Sequence, residues 1–158
     1  MVEKLMMEDV DVNTPRTVLQ ENGLPYPNCD PLSPLWTAIT TMLSDKEIVA
    51  LLVHHGADVN ERWEKMKGPT PLLYCLRNNK LELAEILIQK GADLTAVDIE
   101  GKTPLHHAVN KKMVHEMIIM LEKGADLSAK DKYNNTPWDY AGENEKQMIL
   151  KWQKNKKR

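Results

Sequence analysis

Two short motifs recur along the chain at nearly constant spacing, and this periodicity constrains the fold more than any other feature of the sequence. Gly-Ala-Asp occurs three times, at intervals of 35 and 33 residues, beginning at Gly56, Gly91 and Gly124. A Ser/Thr-Pro motif runs in register with it and begins at positions 33, 70, 103 and 136. Self-similarity at a period of about 20–50 residues is typical of repeat proteins, in which each unit packs mainly on its neighbours.

Both motifs predict helix boundaries. Ser or Thr followed by Pro suits a helix N-cap followed by the first helical residue, and Gly after a helical pattern suits the left-handed residue that ends a helix. In the second repeat these signals enclose two short apolar patterns at helical spacing, 71–78 and 81–90. Each unit is therefore predicted to be helix, short turn, helix and long turn. Because one such pair is too small to bury its apolar faces alone, the sequence predicts an all-α solenoid of stacked pairs.

The third unit carries the most specific motif. Its segment Thr103-Pro104-Leu105-His106-His107-Ala108 resembles the Thr-Pro-Leu-His-x-Ala signature of the ankyrin-repeat family, and Gly124-Ala125-Asp126 completes the unit. The resemblance covers about residues 28–153 and, more weakly, the first 13. It implies an ankyrin-repeat solenoid of helix-turn-helix units joined by β-turn-like loops. It also implies that His106 hydrogen-bonds nearby backbone and ties adjacent turns.

The spacing divides the chain into four repeats and an N-terminal segment. The predicted repeats are residues 28–60, 61–95, 96–128 and 129–158, the last being a capping repeat with a basic tail. Its final helix, expected near 145–153, has one apolar and one charged face, as an end cap requires. Residues 1–29 are interpreted as an N-terminal cap or degraded half repeat, and a remnant of a longer array is the alternative. In the first repeat, Ser44 or Asp45 is the expected cap of the second helix.

Composition and charge narrow the classes of ligand and compartment. The chain has 158 residues, a net charge of −2 and a pI of about 6.2. These values argue against nucleic acid as the main ligand, since nucleic-acid binders carry a concentrated basic face. Two cysteines are too few for a disulfide framework, and no segment resembles a signal peptide or a membrane span. We predict a cytoplasmic monomer. The one basic cluster, residues 151–158, is a solvated terminus or a weak nuclear address.

No group of residues indicates catalysis, a metal or a cofactor. The histidine pairs His54-His55 and His106-His107 cannot chelate as pairs, because neighbouring helical residues point about 100° apart. No Cys or carboxylate joins them at ligand spacing. Cys75 stands where the other repeats have Ala, so it is predicted to fill space in the core. Phosphate-binding glycine loops and nucleophile motifs are missing from the sequence, and we predict a non-enzymatic protein.

The resemblance also implies where a partner protein binds. In the ankyrin family, partners meet the tips of the long turns and the exposed face of each first helix, which line a concave groove. Carried over by position, the predicted partner-binding residues are Arg62, Trp63, Lys65, Met66, Lys67, Arg77, Asn78, Ile99, Glu100, Lys102, Asn110, Lys111, Lys132 and Tyr133. A scaffold, adaptor or inhibitor is expected. Four repeats also resemble virus- or bacterium-encoded ankyrin proteins and the inhibitor-of-NF-kappa-B group, and a structural fragment of a longer array is the alternative.

The long turn of the second repeat departs from the pattern. From the Gly-Ala-Asp aspartate to the next capping threonine it spans twelve residues, against ten in the next two copies, and it contains Trp63. Trp63 either contacts a partner or folds back to seal the longer loop. With Met66, Ile99 and Tyr133 it is predicted to form an apolar strip flanked by basic residues. Such a strip suits a partner with an acidic rim around an apolar centre.

The second helix of the third repeat departs from the pattern of the second repeat. Glu116 stands where Leu83 is apolar, and Ile118 stands where Glu85 is charged. Either this helix is rotated locally, or Ile118 forms a small apolar spot on the convex side.

Overall fold

The computed structural model describes residues 13, 33–41, 45–62 and 68–156. These residues form eight helices and no strand, which confirms the all-α prediction for them. The chain divides into two compact units, residues 1–59 and 60–158. The first contains α1 (Pro34–Thr40) and α2 (Lys46–His54). The second contains α3 (Pro71–Arg77), α4 (Leu81–Gln89), α5 (Pro104–Asn110), α6 (Val114–Glu122), α7 (Pro137–Tyr140) and α8 (Glu143–Lys156).

The helices begin where their capping residues predict. The Ser33 hydroxyl accepts a hydrogen bond from the amide three residues ahead (3.3 Å), and the Thr70 hydroxyl does the same (3.4 Å). The Asp45 carboxylate accepts from the amide two residues ahead (2.8 Å), so of the two candidate caps of α2 Asp45 holds the position. Each side chain satisfies an amide that has no partner within the helix, and this fixes the first turn.

Glycine ends the second helix of three successive repeats, as predicted. Gly56, Gly91 and Gly124 have φ of +92°, +87° and +90°, a left-handed backbone that is unfavourable for residues with a Cβ. The following amide reaches back into the helix, as in the hydrogen bond from the Ala92 amide to the Leu87 carbonyl (2.9 Å). The chain is thereby turned out of the helix and into the long turn.

In the second unit the helices form two rows. α3, α5 and α7 pack side by side in chain order, and α4, α6 and α8 form the other row. Leu72 and Leu105 occupy equivalent positions in the first row and are fully buried. The small residues Cys75, Ala108 and Ala141 are also buried at equivalent positions, where a larger side chain would separate close-packed helices. Burial raises the pKa of the Cys75 thiol to about 12, which keeps it protonated and confirms its interpretation as a core residue.

α6 keeps the orientation of α4 despite its different sequence pattern. Positions 83, 84, 87 and 88 are buried in α4, and the buried positions of α6 lie 33 residues later, at 116, 117, 120 and 121. The expected local rotation is therefore wrong, and so is the exposed apolar spot, since Ile118 is half-buried. Instead Glu116 itself is buried, with 5 % exposure, at the position of Leu83. The third repeat therefore places a glutamate where the second repeat packs an apolar side chain.

Asn13 contacts the turn that follows α2 in the first unit. Its side-chain amide donates to the Gly56 carbonyl (3.0 Å), and its side-chain oxygen accepts from the Asp58 amide (2.8 Å). Asn60 makes the second of these contacts one repeat later, where its oxygen accepts from the Asp93 amide (2.7 Å). Asn13 thus holds the position that ends a repeat. The other residues of the N-terminal segment lie outside the described part of the chain, so its interpretation as a cap or a degraded half repeat stays a prediction.

The last repeat differs from the others in both helices. α7 has only four residues, because Ala141 takes an extended backbone (φ −74°, ψ 129°). α8 begins at Glu143 and runs to Lys156, which makes it longer than predicted. Ile149 is buried, but Leu150 is 53 % exposed, so the expectation that this helix gathers its apolar residues on one packed face is wrong for Leu150.

Candidate protein-binding surface

The long turn before α5 is held by one aspartate. The Asp98 carboxylate accepts hydrogen bonds from the amides of Glu100 (2.8 Å) and Lys102 (3.0 Å). The Gly101 amide closes the turn onto the Asp98 carbonyl (3.0 Å). Aspartate suits this position because its side chain can accept from amides two or more residues ahead. Ile99, at the tip, is 77 % exposed, so the turn presents an aliphatic side chain on a fixed backbone.

The long turn before α7 has the same arrangement one repeat later. The Asp131 carboxylate accepts from the amides of Tyr133 (2.9 Å) and Asn135 (3.0 Å) and from the Tyr140 hydroxyl (2.5 Å). Burial alone would raise the pKa of Asp131, but these donors outweigh it and hold the pKa below its usual value. The carboxylate is therefore charged at neutral pH and keeps its three donors. Tyr133 lies at the tip and is 59 % exposed.

The two turns are joined by a backbone contact and by a histidine. The Lys132 amide donates to the Glu100 carbonyl (2.9 Å), and His106 Nε2 lies 3.1 Å from the Asn135 carbonyl oxygen. His106 Nδ1 accepts from the Thr103 amide (3.1 Å), so Nε2 carries the hydrogen that is donated to Asn135. The expected role of His106, tying adjacent turns, is confirmed.

Gly101 permits the close approach of these two turns. Its φ is +74°, and a Cβ at this position would lie 3.0 Å from the Lys132 nitrogen and 3.4 Å from two backbone atoms of Asp131. Glycine is required here both by the backbone conformation and by the space left beside it.

Basic side chains flank the exposed tips. Lys132 Nζ lies 5.1 Å from the centre of the Tyr133 ring, and Lys102 Nζ lies 5.1 Å from the centre of the Tyr140 ring. Lys102 also pairs with Glu100 (2.7 Å), a contact near solvent that positions the side chains more than it stabilises the fold. Apolar side chains and cationic groups therefore share one surface at the turn tips.

The predicted residues at the ends of the first helices are all exposed but differ in their hydrogen bonds. Arg77 and Asn110 are exposed. Lys111 spans adjacent repeats, because its Nζ donates to the Arg77 carbonyl (2.6 Å) and places a positive charge at the C-terminal end of α3. Asn78 donates to the Tyr74 carbonyl (2.8 Å) at the same helix end. Two of these four predicted side chains therefore already have structural partners.

The longer turn of the second repeat contributes one described residue to the predicted set. Arg62 is exposed, and its Nη1 donates to the Val97 carbonyl (3.5 Å). The other members lie outside the described residues and their roles stay predictions: Trp63, Lys65, Met66 and Lys67.

Known protein families match this architecture. A family model described as ankyrin repeats (3 copies) matches residues 1–98, and one described as ankyrin repeats (many copies) matches residues 87–141. The chain belongs to the ankyrin-repeat family. No curated protein matched it. Ankyrin repeats indicate a protein–protein interaction module in general.

The described residues of the ankyrin chain form neither a metal-binding group nor a membrane-spanning helix. Among the described residues, no three His, Cys, Asp or Glu side chains come together in a group that could hold a metal ion. Within the same residues, none of the helices combines the length and apolar character needed to cross a membrane.

His107 supports the turn before α5 of the ankyrin chain from the side of the helix. Its Nε2 lies 2.9 Å from Asp98 Oδ2. Burial lowers the pKa of His107 below its ordinary 6.5, with smaller contributions from Arg77 and Lys102, and the Asp98 carboxylate does not offset these effects. The equivalent position one repeat later carries Tyr140, whose hydroxyl contacts the turn aspartate in the same manner. The third repeat thus has a histidine–aspartate contact where the fourth repeat has a tyrosine–aspartate contact.

Replacing His107 with tyrosine is expected to remove a loss of stability in mild acid. Because the pKa of His107 is lower in the folded protein than in the unfolded chain, the unfolded chain takes up the proton first as pH falls. Wild type should lose stability from about pH 6.5 downward, until His107 is protonated in both states. Tyrosine does not titrate there and keeps a hydrogen bond to Asp98.

Thermal melts of wild type and His107→Tyr over this pH range measure the difference. The pKa of Asp98 is also shifted: burial opposes the shift, but hydrogen bonds from the Lys102 and Glu100 amides and from His107 lower the pKa. This shift changes the stability only near and below pH 3.8. It therefore leaves the comparison unaffected. A difference in Tm that stays constant with pH would contradict the assignment.

Proposed function

We propose that this ankyrin-repeat chain acts by holding a partner protein, as a scaffold, adaptor or inhibitor, and not by catalysis. The partner contacts the turn tips at Ile99 and Tyr133 and the exposed Arg77 and Asn110 at the ends of the first helices. The observation that carries the proposal is the exposure of Ile99 and Tyr133 on turns that are held by partly buried hydrogen bonds.

Exposed side chains on an ordered backbone favour binding in two ways. The turns are ordered before the partner arrives, so association loses less conformational entropy than it would with a flexible loop. Covering the two tips removes apolar surface from water, which contributes roughly 25 cal/mol per Å². Tyr133 adds a hydroxyl beside its ring, a combination enriched at the energetic centres of interfaces.

The double variant Ile99→Ala, Tyr133→Ala is expected to weaken partner binding by about tenfold or more. Neither side chain packs in the core, so the free energy of unfolding should change by no more than about 0.5 kcal/mol. A partner captured from native lysate by wild type and identified by mass spectrometry supplies the ligand for measuring Kd.

The matched control is Met148→Ala, Leu150→Ala, which removes two exposed apolar side chains from α8 instead of from the turns. The control should bind as wild type does. A partner held equally well by the tip variant and by wild type would contradict the proposed surface. Adding Trp63→Ala to the tip variant tests whether the longer turn joins the interface.

Monomeric state, cytoplasmic location and the lack of nucleic-acid binding remain predictions from the sequence. Sedimentation of the purified protein tests the first of them directly.

A further inference from the structure

We infer that the partner contributes an acidic segment containing at least one apolar side chain, bound across the turns before α5 and α7. This inference rests on the proposed function and adds the chemistry of the partner. It is carried by the distribution of charge over the second unit and by the way in which this surface compensates its own carboxylates.

Charge is divided unequally between the two sides of the second unit. The described residues of its long turns, first helices and inter-helix turns hold eight Lys and Arg against five Asp and Glu (60–62, 68–80, 96–113 and 129–142). Its second helices and the segments that follow them hold six against eight (81–95, 114–128 and 143–156). The excess of three comes from Lys80, Lys111 and Lys112 in the inter-helix turns. In the long turns and first helices alone, five Lys and Arg face five Asp and Glu, so the charge that a partner meets there depends on how many of these carboxylates are compensated.

Most carboxylates on the basic side are already compensated by neighbouring donors. Asp98 and Asp131 accept the turn amides, as described above. Glu100 pairs with Lys102 (2.7 Å), whose hydrogen bond and charge hold the pKa of Glu100 below its usual value. Asp139 accepts from the amide and the hydroxyl of Thr136, both at 2.7 Å, and these bonds lower its pKa. An approaching acidic group therefore meets few uncompensated negative charges.

Exposed cations lie in the turn of one apolar tip and in the repeat before the other. Lys130 and Lys132 lie on the turn that carries Tyr133, and Arg62 and Arg77 are exposed in the second repeat, which precedes the repeat of Ile99. Charges of one sign around an apolar centre raise the association rate of an oppositely charged partner and select its register. The apolar centre includes an aliphatic side chain that offers no stacking face for a base, which favours an acidic peptide over a single-stranded nucleic acid.

Selection from a phage-displayed random peptide library against the immobilised full-length protein tests the inference. Enriched sequences are expected to carry Asp or Glu on both sides of an aromatic or aliphatic residue. Their Kd, measured by fluorescence anisotropy of the labelled peptides, should rise by about tenfold between low and high salt, because exposed charges are screened.

Charge-removing variants locate the contact. Lys130→Gln with Lys132→Gln should weaken the selected peptides by about tenfold. The control pair, Lys90→Gln with Lys123→Gln, removes the same charge from exposed lysines that follow α4 and α6 and should change Kd by less than about twofold.

The other outcomes separate this inference from the proposed function. Neutral or basic peptides that still require Ile99 and Tyr133 would overturn the acidic chemistry and leave the proposed surface standing. Acidic peptides that bind the Ile99→Ala, Tyr133→Ala variant as tightly as wild type would overturn both. Failure to enrich any peptide would overturn the linear acidic segment. Tighter binding of a single-stranded oligonucleotide than of any selected peptide would replace the acidic peptide with nucleic acid.

Discussion

Gly101→Ala is expected to lower the free energy of unfolding by about 2–3 kcal/mol, the largest loss we predict for any single substitution in the turns. Part of this loss comes from the φ of +74°, which a residue with a Cβ adopts at a cost of about 1 kcal/mol. The rest comes from space, because the new Cβ would lie 3.0 Å from the Lys132 nitrogen. That atom belongs to backbone, so relief requires the two turns to separate and the hydrogen bond between Lys132 and Glu100 to lengthen.

The same substitution at Gly91 and at Gly124 isolates the contribution of space. Both have similar positive φ, +87° and +90°, but a Cβ on either meets nothing within 4 Å. Each should therefore lose only about 1 kcal/mol. Urea unfolding of the three variants gives the comparison. Equal losses at all three positions would contradict the close approach of the turns at Gly101.

Glu116→Leu is expected to have the opposite effect and to raise the free energy of unfolding by about 1 kcal/mol. Glu116 is 5 % exposed at a position where α4 carries the buried Leu83. Burying the apolar side chain of a leucine there removes surface from water, which contributes roughly 25 cal/mol per Å². Leucine restores the apolar contact that the preceding repeat makes at Leu83.

Glu122→Leu is the matched control, because Glu122 lies in the same helix but is exposed. It should change the stability by no more than about 0.5 kcal/mol. A gain in Tm confined to Glu116→Leu supports a cost of placing glutamate at this packed position, whereas a loss would show that the carboxylate makes a favourable interaction that leucine removes.

Much of the fold could be predicted because its signals are local. Ser33 and Thr70 cap helices through hydrogen bonds to amides three residues away, and Gly91 ends a helix by its own conformation. Features that depend on neighbouring repeats could not be predicted in this way. The burial of Glu116 is one such feature. The repeat spacing places Glu116 at the buried position of Leu83, but it does not show whether α6 rotates to expose the glutamate. The exposure of Leu150 is another, since it depends on how far α8 departs from the preceding second helices.

The candidate surface was predictable to a smaller extent. The resemblance placed Ile99 and Tyr133 in the long turns, and both are exposed there. It did not assign Asp98 and Asp131, although each opens its turn and precedes the tip, which is a pattern typical of turn-forming aspartate. Lys111 was assigned to partner binding by position alone, and its contact with the Arg77 carbonyl depends on the spacing between helices, which the sequence does not specify.

The contacts between the two turns make the third repeat depend on residues that come after it. The Lys132 amide and the Asn135 carbonyl complete the hydrogen bonding of Glu100 and His106, which lie more than 25 residues earlier. A proteolytic nick or frameshift in the last repeat would therefore loosen the turn before α5, although the residues of that turn are intact. Partner binding would weaken at Ile99 as well as at Tyr133. A chain that ends before Lys132 would lack Tyr133 and would also hold Ile99 less firmly, so it should compete poorly with the full chain for the partner.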